Sequence, residues 1–134
     1  MSTNMVTVMQ AYGSTNVYGT AVPPDLKGDP KSVVIKVGTV EIYRVAFDRP
    51  PDKIEKGVRY WVLTDQPGWL GANVALQPDG RVNASGRPSG KFPALKDLNS
   101  KDATIVVNGG APIPVPFKQY SAWGTAGGES KWWD

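Results

Sequence analysis

Apolar residues recur at every second position along much of this chain, and the alternation stops wherever Gly, Pro, Asn and Asp gather. NMVTVMQAY sets Met5, Thr7 and Met9 against Val6 and Val8, the pattern of a strand covered on both faces. TNVYGT predicts a second short strand. AVPPDLKGDPKS predicts a loop, because Pro23 and Pro24 fix extended backbone and Asp29-Pro30 starts a turn. SVVIKVGTVEIYRVAF holds two strands. Val33, Ile35 and Val37 share one face of the first; Val40 and Ile42 share a face of the second, with Tyr43, Val45 and Phe47 opposite. Gly38-Thr39 between them suits a type II′ hairpin; the competing reading is one long strand bulged at Gly38. DRPPDKIEKG reads as loop.

VRYWVLT is the clearest strand, with Val58, Tyr60 and Val62 on one side and Trp61 and Leu63 on the other. Its approach, Ile54–Gly57–Tyr60 in KIEKGVRYWVL, resembles the corner of immunoglobulin-like sandwiches at which a tyrosine near a strand start bonds back to upstream backbone. The resemblance covers these few residues and implies architecture only; the buried cysteine pair of that family is missing. In WLGANVALQPDGRVNASG, Pro78 starts a type I turn and Gly80 takes the left-handed position of a hairpin. RPSGKFPALKDLNSKD reads as loop with one helical turn around Leu95. ATIVVNGGAPIPVPFKQYSAW gives a strand, an Asn108-Gly109 turn and a proline-laced strand. Pro112, Pro114 and Pro116 alternate, so their missing donors fall on one side, away from the partner strand, as on a sheet edge.

The sum is eight or nine short strands joined by turns, which predicts an all-β fold: a single-domain antiparallel β-sandwich or partly open barrel. The β domain is expected over residues 1–123, and a Gly-rich tether with an aromatic C-terminal arm over 124–134. At 134 residues the chain buries about two thirds of its unfolded surface, enough for a core without staples. Fifteen Gly and twelve Pro favour short strands and defined turns over helices.

Histidine and cysteine are both absent. Disulfides, thiolate metal sites, Ser–His and Cys–His nucleophiles and the usual neutral-pH general base are excluded with them. Glu41, Asp48, Asp52, Glu55 and Asp65 are the carboxylates available for a hydrolytic pair, but no spacing selects two of them. Asp97, Asn99 and Asp102 in DLNSKD begin like a calcium loop and lack its Gly and its later Glu. The expectation is therefore no enzyme, no cofactor and no metal. A net charge of +3, interleaved rather than blocked, speaks for solubility. Arg81, Arg87, Lys91, Lys96 and Lys101 make a basic region with only Phe92 interleaved, a solvated loop rather than a nucleic-acid surface. No signal peptide and no membrane span are read from the sequence, so synthesis and action in the cytoplasm, or in a virion, are expected.

Five Trp and five Tyr carry the remaining chemistry. Trp132 and Trp133 are adjacent, and in an extended chain adjacent residues face opposite ways, so one core cannot take both. With Trp123 they either fold back on their own domain or, in the leading expectation, anchor contacts to other copies of the chain or to another protein, with Pro112, Pro114, Pro116 and Phe117 offering a pre-ordered second contact. The leading expectation is a non-catalytic, self-associating structural or accessory protein of a larger assembly, a virion decoration or tail-type subunit. The alternative is a small cytoplasmic-type lectin, with Trp69 as sugar platform and Asp65, Gln66 and Asn73 bonding hydroxyls. A third reading is an inhibitor or toxin-like module acting through PPDKIEKG and RPSGKFP.

Overall fold

The computed structural model describes residues 4–11, 14–89, 92–93, 98, 102–122 and 130–133; for Ala11, 120–122 and 130–133 it describes the backbone alone. The fold is all-β. Its strands are β1 (Met5–Ala11), β2 (Ser14–Ala21), β3 (Ser32–Val37), β4 (Val40–Ala46), β5 (Lys53–Glu55), β6 (Val58–Val62), β7 (Trp69–Leu76), β8 (Val82–Pro88), β9 (Asp102–Val107), β10 (Ile113–Ala122) and β11 (Ser130–Trp133). Ten of them hydrogen-bond in one path, β4-β3-β9-β10-β1-β2-β8-β7-β6-β5, with β11 added to β10.

The path folds into two layers at β10. Ile113 to Pro116 pair with β9, while Phe117 to Ala122 pair with β1. The prolines account for the switch. Pro114 and Pro116 cannot donate, so the donors to β9 come from Ile113 and Val115, and the ladder to β1 begins at Phe117, just past Pro116. The proline segment is thus paired with β9 on one side only among the described residues, as an edge requires, whereas the second half of β10 is flanked by β1 and β11. All pairings are antiparallel except β1 with β10, which are parallel.

The core lies between the layers. Val6, Val8 and Val17 face it from one sheet, and Val33, Ile35 and Ile105 from the other. Where they meet, a β-carbon on Gly19 would stand 2.7 Å from Cδ1 of Ile35 and 3.3 Å from Cδ1 of Ile105, so the sheets close on bare backbone. Trp61 and Leu63 are fully buried, and Val62 between them is exposed, as the alternation predicts.

Local turns follow residue chemistry. Gly38 sits at φ 58° at the first central position of the β3–β4 turn, as type II′ geometry needs. Gln77 C=O accepts from Gly80 N–H at 3.0 Å, Gly80 has φ 88°, and the Asp79 carboxylate accepts from Arg81 N–H at 3.0 Å. Three expectations change. DRPPDKIEKG contains a short strand, β5, and Lys56 (φ 54°) and Gly57 (φ 80°) form a two-residue turn with the φ signs of type I′. That makes Ile54–Tyr60 a hairpin within one sheet rather than a corner crossing between sheets, and Tyr60 faces Lys53, whose Nζ lies 5.8 Å from the ring centroid. β3 and β4 form the expected hairpin, but a bulge falls within the pair at Ile42: Lys36 pairs with Glu41 and Ile35 with Tyr43. The skipped residue reverses parity, so Ile42 and Tyr43 are both buried. The helical turn expected at Leu95 lies outside the described residues.

Candidate functional site

Two concavities stand out among the described residues. The larger, of about 560 Å³, runs between residues 22–27 and 107–114. Pro23, Pro24, Pro112 and Pro114 supply rigid apolar walls, with Leu26 and Ile113 at its sides and Asp25 and Lys27 among its lining. Prolines shape this groove because they hold extended backbone without offering donors to a neighbouring strand.

Asn108, in one wall, is tied to residues 29–32, just beyond the other. The side-chain Oδ1 of Asn108 accepts from the backbone N–H groups of Lys31 (2.5 Å) and Ser32 (3.1 Å). Its backbone N–H donates to Ser32 C=O at 3.0 Å, and its Nδ2 donates to Asp29 C=O at 3.4 Å. Asn108 takes φ 54°, a left-handed conformation that Asn tolerates better than most residues. Asp29 in turn accepts a bidentate pair from Arg59, at 2.7 and 2.9 Å. In sequence Asn108 reads only as a turn residue; its use of distant backbone has no local signal.

The second concavity is a cup of about 300 Å³ over Trp69. Tyr43 and Trp69 form its floor, with ring centroids 4.8 Å apart and planes tilted by 54°. Behind them is Gly86, where a β-carbon would lie 2.8 Å from Cε3 of Trp69 and 2.9 Å from Cε2 of Tyr43. The Tyr43 hydroxyl donates to Ser85 C=O at 3.0 Å, and burial raises its phenol pKa well above the ordinary value. At the rim stands a fork-like ion pair. Arg44 Nε donates to both Glu41 oxygens at 3.1 Å, and Nη2 to Oε1 at 2.6 Å. The hydrogen bonds from Arg44 hold the Glu41 carboxyl below the usual glutamate range.

The residues expected to surround Trp69 are distributed differently. Gln66 turns its amide to the backbone of Ala46, with Oε1 and Nε2 each at 3.0 Å. Asp65 is exposed in the β6–β7 turn. Asn73 is exposed on β7 between buried Ala72 and Val74, hence on the outward face. None of these three lines the cup; Glu41 and Arg44 do.

The expected assembly contacts also spread out. Pro112, Pro114 and Pro116 are exposed, and the first two line the groove. Phe117 is buried in the core. Trp132 and Trp133 lie in β11, opposite Tyr120 and Gln119 in register; Trp123 lies outside the described residues. Of the carboxylates, Glu41 pairs with Arg44, Asp48 with Lys31, Asp52 with Arg49 and Glu55 with Lys53. Asp97 and Asn99 lie outside the described residues, as do Lys91, Lys96 and Lys101, whereas Asp102 belongs to β9.

No protein family, curated protein or solved structure matches the chain. Among the described residues there is no cluster of three or more Asp or Glu able to hold a metal ion, and no helix long and apolar enough to cross a membrane.

Proposed function

We propose that this chain is a non-catalytic, self-associating structural or accessory subunit of a larger assembly, and that its copies join through the proline-walled groove. A particle-decorating or tail-type subunit of a virion is the concrete form. The observation that carries the reading is the groove itself: about 560 Å³ of largely apolar space along the edge half of β10, where Pro114 and Pro116 bar ordinary strand addition. A partner must therefore enter with side chains rather than by extending the sheet.

The occupant is the aromatic segment Ser130–Trp133 of a second copy. Adjacent residues of a strand belong to opposite faces, so β11 has more apolar residue than one sheet face can cover. Within one chain the two lie along different halves of β10. The groove flanks Ile113, whereas β11 pairs around Tyr120, about 23 Å further along β10 at about 3.3 Å per residue. Charge also matches: Lys131 and Asp134 bracket the tryptophan pair in sequence, and Asp25 and Lys27 bracket Leu26 in the groove. An arm-to-groove contact is heterologous, so it builds a ring or a filament rather than a two-fold dimer.

Sedimentation velocity with complementary variants tests this. Ala111→Arg blocks the groove at an exposed position, and Trp132→Ser with Trp133→Ser removes the anchor. The natural chain is expected to assemble with rising concentration, each variant alone to stay monomeric, and an equal mixture of the two to stop at a dimer. A natural chain that remains monomeric at about 100 μM, well above a micromolar dissociation constant, removes the proposal.

A further inference from the structure

We infer that the cup over Trp69 binds one neutral pyranose ring, stacked on the Trp69 indole and held at its hydroxyls by the Glu41–Arg44 pair. The groove lies elsewhere on the surface and shares no lining residue with the cup, so this site stands or falls independently of self-association.

The floor is pre-formed. Gly86 admits the Trp69 ring against bare backbone, and Tyr43 supports it from the side at 4.8 Å. Tyr43 is itself fixed by burial and by its hydrogen bond to Ser85 C=O. A ligand stacking there loses little free energy to reorganisation of the protein. The negative face of an indole attracts polarised C–H groups, which a pyranose presents on one of its faces. Pro67, Pro88 and Pro93 line the cup with further rigid apolar surface.

The polar edge decides the chemical class. The Glu41–Arg44 bonds engage Arg44 through Nε and Nη2, out of five N–H donors on a guanidinium. The two carboxylate oxygens hold about four acceptor sites between them, and Arg44 occupies about three, which leaves about one on Oε2. Donors and acceptors therefore stand side by side, which suits adjacent hydroxyls that both give and take hydrogen bonds. The pair is also compensated in charge, so an anion or a cation finds no net field from it, whereas a neutral polyol needs none. A volume of about 300 Å³ is at the small end of ligand sites and suits one ring rather than a buried oligosaccharide.

The test follows the Trp69 indole N–H by two-dimensional NMR of the full chain. The probes are the methyl glycosides of glucose, mannose, galactose, N-acetylglucosamine and fucose, each to about 50 mM, far above a millimolar dissociation constant. At least one is expected to shift the Trp69 resonance saturably while leaving that of fully buried Trp61 in place. Arg44→Met, at an exposed side chain, is expected to weaken that binding about tenfold. Absence of a saturable shift with every glycoside, equal binding by Arg44→Met, or an equal response to inorganic phosphate overturns the inference.

Discussion

The side-chain amide of Gln66 pairs with the backbone of Ala46 as a strand would: its Oε1 accepts from Ala46 N–H and its Nε2 donates to Ala46 C=O, each at 3.0 Å. One residue of the β6–β7 turn thereby caps the end of the outermost strand, β4, and fastens one end of the sheet path to a turn near the other. Gln66→Ala is expected to cost about 1 kcal/mol and to quicken hydrogen exchange at the Ala46 amide, while leaving Val33 and Ile35 protected. Unaltered exchange at Ala46 would show that the pair contributes nothing in solution.

Gly86 and Gly71 make a controlled contrast. Gly86→Ala would put a methyl group 2.8 Å from Trp69 and 2.9 Å from Tyr43, rings that have little room to move. Overpacking of this kind costs about 1–3 kcal/mol. A β-carbon on Gly71 meets nothing within 4 Å, so Gly71→Ala is expected to be close to neutral. Urea midpoints for the two variants give the comparison, and equal midpoints contradict it.

Asn108 contributes bonds and conformation separately. Asn108→Gly keeps the left-handed backbone and loses the side-chain acceptor of the Lys31 and Ser32 amides, for a loss of about 1–2 kcal/mol. Asn108→Ala loses the same bonds and adds about 1 kcal/mol of backbone strain. Chemical denaturation should rank the natural chain first, Gly second and Ala third; an Ala variant as stable as Gly means that the backbone relaxes away from φ 54°.

Alkali is expected to expose Tyr43. Burial raises its phenol above the ordinary value of 10.0, so the folded chain keeps a proton that the unfolded chain releases. The stabilisation is complete below that ordinary value and is lost as the pH climbs past it. Tyr43→Phe should be less stable by about 1 kcal/mol near neutrality, because Ser85 C=O loses its donor. The gap should narrow by about pH 11, since only the natural chain has this phenol to ionise. Parallel stability curves for the two proteins across that range contradict the assignment.

Much of this fold is legible in residue order where the cause is local. Pro78-Asp79-Gly80 specifies its turn through fixed φ, a side-chain acceptor and left-handed freedom, all within a few residues. Trp61 and Leu63 announce their inward face by alternation alone. Illegible features depend on distant partners. Burial of both Ile42 and Tyr43 needs a bulge whose register is set by β3, and the division of β10 between two layers needs β9 and β1 in place. The same holds for the cup. Trp69 is visible in sequence as an aromatic at a turn, but Gln66 resembles a ligand there because nothing nearby reveals that Ala46 occupies its amide. Glu41 and Arg44 become neighbours of Trp69 only once β4 packs over β7 and β8.

The parallel pairing of β1 with β10 sets the order in which this protein can be completed. Val6 meets Phe117 and Ala11 meets Ala122, so β1 must wait for a partner made more than a hundred residues later. While the chain is still on the ribosome, the β1 edge that β10 will occupy stays uncovered, and β9 lacks the neighbour that joins its layer to the other. Closure of that seam belongs after residue 122 has emerged, and a chain stalled before it would leave β1 as an adhesive edge for other nascent proteins.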